Sequence, residues 1–192
     1  YHALAYKDYP KKCRRLHFFS IELDSSVFQD FLINRPQSLI NSYNGFVVVK
    51  PLPRTLIGFT GLKPFYNEEK PRVFPALTPV RANLMGLEFS FYALPFQEQD
   101  QLVSACATSA LWSAFHKTSS IFKTPIPTPQ EITRSADNLF RTTGKTFPNT
   151  GLDPFQIGTA IKKVGLEFEL RNNADKLQDM WYFMSFCYAY LR

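Results

Sequence analysis

The sequence predicts an α+β fold, and three observations predict it. Short β-branched and aromatic runs dominate the first 94 residues, helix start signals recur after Pro95, and no apolar run reaches eighteen residues. The division places a mixed, strand-rich region at 1–94 and a helical region at 95–192. With 45% hydrophobic and 20% charged residues among 192, the chain has the composition of a folded domain that buries a core, which excludes a disordered class.

The elements follow in order. "LHFFSIEL" (16–23) and "NGFVVVKPLP" (44–53) are strand-like runs closed by polar or proline punctuation. Between them, "SSVFQDFLIN" spaces Val27, Phe28, Phe31 and Leu32 as a helix does. "RTLIGFTGL" (54–62) and "NLMGLEFSFYALPF" (83–96) are two further strands, the latter alternating at Leu87, Phe89 and Phe91. The intervening "KPFYNEEKPRVFPALTPV" holds four prolines and is expected to be a loop or extended arm.

Beyond Pro95, "SACATSALWSAFHK" is expected to form a helix carrying Ala105, Leu111, Trp112 and Phe115. "TPQE" at Thr128–Glu131 is a capping box with proline at the first helical position, opening a helix through "ITRSADNLF". "DPFQ" at Asp153–Gln156 repeats the device for a helix with Ile157, Ile161 and Val164, closed by Gly165. "LEFEL" (166–170) alternates as a short strand. The final "ADKLQDMWYFMSFCYAYLR" is apolar nearly all round, which requires burial or a covering partner.

Charge and cysteine content narrow the function. The net charge of +6 is uneven: Lys7, Lys11, Lys12, Arg14 and Arg15 face only Asp8 in the first fifteen residues. Such a cluster is a solvated face, or one that meets an acidic partner or nucleic acid. No zinc-ligand pairs, RNA-recognition signature or long basic run extends the nucleic-acid reading. Cys13, Cys106 and Cys187 are too few and too unevenly spaced for a disulfide framework, so a reducing, cytoplasmic setting is expected. Cys13 and His17 stand four residues apart, but two ligands do not make a metal site. No signal peptide or membrane span is expected. The chain opens without Met and stops at "FCYAYLR", so a fragment is expected.

"PFQEQDQLVSACATSALW" (95–112) raises the chemical question. A cysteine in the first turn of a helix gains positive partial charge and free amide donors that favour the thiolate. Its own N–H can hold a developing oxyanion, and a glutamine just upstream supplies a second, uncharged donor. The alternative is a small buried side chain in a core helix.

This block resembles the Gln-loop-Cys-helix segment of papain-like cysteine peptidases, and more closely bacterial members that cleave double-glycine leader peptides. "GLDPFQIGTAIKKVGLEFEL" is similar to the helix and strand that follow the cysteine helix there. The likeness covers about Pro95 to Arg192. It implies the helical lobe of a papain-like fold, incomplete at its C-terminus, acting on a peptide or protein substrate without metal or organic cofactor. It assigns Cys106 as nucleophile and Gln99 as oxyanion donor. Gln99 precedes the cysteine by seven residues, where papain has six, and Gln101 and Gln97 are rivals. Ala107 stands where papain has an aromatic residue. The family's histidine follows the cysteine in a second lobe. Here His116 lies on the cysteine's own helix, and His2 and His17 precede it. The base is therefore expected outside this chain, leaving the chain alone inactive, and a non-catalytic relative of the same fold is the competing expectation.

Overall fold

The computed structural model describes residues 12–52, 55–66, 69, 72–99, 106–136, 151–170 and 177–191. Among them are five strands and six helices: β1 (Arg14–Phe19), α1 (Ser25–Asn34), α2 (Gln37–Ser42), β2 (Tyr43–Val49), β3 (Ile57–Leu62), β4 (Thr78–Leu84), β5 (Leu87–Ala93), α3 (Cys106–Phe122), α4 (Pro129–Ala136), α5 (Pro154–Lys163) and α6 (Leu177–Leu191). The fold is α+β, with small antiparallel sheets first and helices after. No helix among the described residues is long and apolar enough to cross a membrane.

Strands β1, β2 and β3 form one antiparallel sheet in that order, with β2 in the centre. α1 and α2 connect its first two strands. Asp24 caps α1 by accepting from the Val27 N–H at 2.8 Å, and Arg35 ends it in the left-handed conformation, φ 46°. β4 and β5 form a separate hairpin whose turn, Met85–Gly86, has positive φ at both residues (50° and 85°). That is the geometry a two-residue connection needs to match strand twist.

The hairpin lies against the first sheet because β5 alternates strictly. Leu87, Phe89, Phe91 and Ala93 are buried while Glu88, Ser90 and Tyr92 are exposed. The buried set meets Tyr43 and Phe46 of β2 and Leu39 of α2. Tyr43 stacks on Phe89 at 4.1 Å, and Phe91 meets Tyr43 edge-on at 5.4 Å. A second core gathers Trp112 and Phe115 of α3, Ile132 of α4, and Ala160 and Val164 of α5 and its end. Phe59 joins the two, edge-on to Phe46 at 5.2 Å and to Trp112 at 5.4 Å.

Three expectations are corrected and one helix is added. The proline-rich arm ends as β4, because Thr78, Val80 and Ala82 alternate inward while Pro79 faces out, where its missing N–H costs little. "NLMGLEFSFYALPF" is therefore a turn and one strand preceded by the end of another. The short helix α2 was not expected from "QSLINS", and the strand read in "LEFEL" is irregular chain. There Phe168 lies where a Cβ on Gly158 would sit, so the alternation serves a helix surface rather than a ladder. α6 is a helix as expected, and its exposed Trp181, Tyr182, Met184 and Tyr188 match the alternative of a missing covering partner rather than burial. The expected continuation of α4 to Phe140 falls partly outside the described residues.

Candidate active site around Cys106

Cys106 is the first described residue of α3 and is exposed. Helical periodicity explains why: Thr108, Trp112 and Phe115 turn into the second core, whereas Cys106, Ala110 and Ala114 share an exposed line at four-residue spacing. A small core cysteine would be buried, and this one is not. α3 is held by more than apolar packing. Lys117 Nζ donates to the Leu77 carbonyl at 3.0 Å, Thr78 Oγ1 donates to the His116 carbonyl at 3.4 Å, and Thr108 and Thr133 hydroxyls lie 3.4 Å apart.

Gln99 is exposed at the end of a segment tied to the first sheet. Phe96 exchanges backbone hydrogen bonds with Thr60 at 2.8 and 3.0 Å. Glu98 grips Ile57 twice: its N–H donates to the Ile57 carbonyl at 3.0 Å, and its carboxylate accepts from the Ile57 N–H at 2.9 Å. The chain therefore leaves β3's edge just before Gln99. Gln97, one of the rivals, is half-buried, and Gln101 lies outside the described residues. No hydrogen bond among the described residues joins Gln99 to Cys106. Glu98, the anchor, is invisible in sequence because its partner is 41 residues away.

The described histidines stand apart from the thiol. His116 is ten positions further along α3, about 15 Å at the helical rise. Its ring is edge-on to Trp112 at 4.5 Å and lies 5.9 Å from Phe59. Its Nε2 is buried with no hydrogen-bond partner among the described residues, and burial pushes its pKa below the ordinary 6.5. His17 is on β1, the edge opposite β3, with Nδ1 2.8 Å from the Tyr43 hydroxyl. Burial, and secondarily the Arg15 charge, lowers its pKa too. His2 lies outside the described residues. Cys13 and His17 are on extended chain, about 13 Å apart at the strand rise, so their four-residue spacing does not make a helical pair. No group of three or more metal-ligating side chains forms among the described residues.

The half-buried His116 gives a pH dependence with a definite sign. A base with a depressed folded pKa binds its proton more readily in the unfolded chain. Stability is thus complete above the unfolded value and falls as pH drops below about 6.5 toward the lower folded value. Urea midpoints should fall between pH 7 and pH 5, and His116→Phe should flatten that fall, leaving the His17 contribution. An unchanged slope in His116→Phe would contradict the assignment. Comparison with known proteins adds no relative: no family model, no curated protein and no solved structure matches this chain.

Proposed function

We propose that the chain is the cysteine-bearing part of a papain-like thiol hydrolase or acyl transferase that acts on amide bonds of a peptide or protein. The observation that supports it most is the exposed thiol at the opening of α3, on a helix whose opposite face is fixed in the second core. In this reading the Cys106 sulfur attacks the substrate carbonyl carbon as a thiolate. The resulting oxyanion is held by the Cys106 N–H, one of the amides a helix start leaves free, and by the Gln99 side-chain NH₂. The amine leaves with a proton from a general base. Water then hydrolyses the thioester, or a second amine takes the acyl group. The base comes from outside the described residues, and no metal or organic cofactor takes part. The exposed alanines beside Cys106 leave that side of α3 open to a second lobe. The test is amide-bond turnover by the whole protein with and without the thiol. Loss in Cys106→Ser supports the reading, while full retention of every activity makes the domain a non-catalytic binding module.

A further inference from the structure

The chain reaches Gln99 along the outer edge of β3, and that edge carries an irregularity with a use. Val47 and Val49 of β2 pair with Thr60 and Ile57 of β3, so a step of two residues on β2 is matched by a step of three on β3. The bulge turns the backbone groups of Ile57 and Thr60 to the same outer edge, where regular alternation would send them to opposite ones. Thr60 and Phe96 exchange both backbone bonds there. Ile57 and Glu98 begin the same exchange, the Glu98 N–H donating to the Ile57 carbonyl at 3.0 Å. The return bond differs. The Ile57 N–H donates at 2.9 Å to the Glu98 carboxylate, not to its backbone carbonyl.

A side-chain acceptor in that place ends the ladder. With the Ile57 N–H already satisfied, the Glu98 carbonyl is not needed at the edge, and the backbone can leave the sheet at Gln99, which is exposed. A charged acceptor also makes this bond stronger than its neutral counterpart. β3 bears on the helix of the thiol as well: Phe59, two residues from Ile57, meets Trp112 of α3 edge-on at 5.4 Å. One strand thus fixes the point at which the chain departs for Gln99 and touches the helix that carries Cys106. We propose that Glu98 is the positioning residue of Gln99, its carboxylate standing in for a strand carbonyl so that the Gln99 amide is directed off the sheet edge to the oxyanion. This role rests on the reading of Cys106 as nucleophile and Gln99 as oxyanion donor.

The experiment compares two reagents on the whole protein, with peptide mapping to follow Cys106. Acylation by para-nitrophenyl acetate passes through a tetrahedral oxyanion, whereas alkylation by iodoacetamide displaces iodide and forms none. Glu98→Ala should slow acylation at least about ten-fold and leave alkylation within about two-fold. Gln99→Ala should do the same, and the double variant should be no slower than Gln99→Ala alone. Glu98→Gln, which keeps an amide oxygen for the Ile57 N–H, should restore most of the rate. Circular dichroism reports folding, and Glu98→Asp, charged but a methylene shorter in reach, carries the test if Glu98→Ala unfolds. Wild-type acylation in Glu98→Ala, equal slowing with both reagents, or losses that add in the double variant would overturn the proposal. No acylation of Cys106 in the unaltered protein would overturn the thiol reading itself, and with it this role for Glu98.

Discussion

Cys106→Ser in the whole protein is expected to lower amide-bond turnover by about 10³-fold or more, while leaving the fold in place. The two halves of that expectation rest on different observations. On the proposed reading turnover falls because a hydroxyl replaces the nucleophilic thiol, and the other two described cysteines stand outside α3: Cys13 precedes β1 and Cys187 lies in α6. The fold is spared because Cys106 is exposed and takes no part in either core, so unfolding free energy should stay within about 0.5 kcal/mol. A variant that lost activity and stability together would indicate a structural residue.

The largest effect on stability is expected at Gly45. Its φ is 125°, a conformation that side-chain-bearing residues rarely adopt, and a Cβ there would collide with the Gly61 carbonyl oxygen and come within 2.8 Å of the Leu62 Cα. These are backbone atoms of β3, so no rotamer change can relieve the contact. Gly45 also pairs with Phe18 on its other side, so the central strand is gripped from both directions. Gly45→Ala should cost about 3 kcal/mol or more, read as a drop in the urea midpoint. Gly86→Ala is the control: its φ is also positive, 85°, but a Cβ would meet nothing within 4 Å. It should cost about 1 kcal/mol. Equal losses at the two glycines would contradict the packing of β2 against β3.

The sequence pattern made most of the elements legible, and what it missed depends on distant partners. Alternation marked β5, and the "TPQE" and "DPFQ" boxes marked two helix starts. The second forms as a complete capping box, with Asp153 accepting from the Gln156 N–H at 2.8 Å and Gln156 accepting from the Asp153 N–H at 2.9 Å. β4 escaped because proline density outweighed three inward-facing residues, and "MG" is an uncommon turn pair whose left-handed Met85 nothing local demands. α2 escaped because six residues are too few for a periodicity. At the candidate site, Cys106 could be found from a small-residue run at a helix start, but its exposure depends on which face of α3 the second core claims. The Glu98 anchor needs a contact with a strand far away in sequence, which no local pattern records.

The role assigned to Cys106 is tested most directly by timed alkylation of the unmodified chain with limiting iodoacetamide at neutral pH, followed by peptide mapping. Cys13 makes the comparison demanding, because it too is exposed, while Cys187 is half-buried. If Cys106 is the nucleophile, it should be modified about ten-fold faster than Cys13 and faster still than Cys187. Equal, slow labelling of all three cysteines would contradict it.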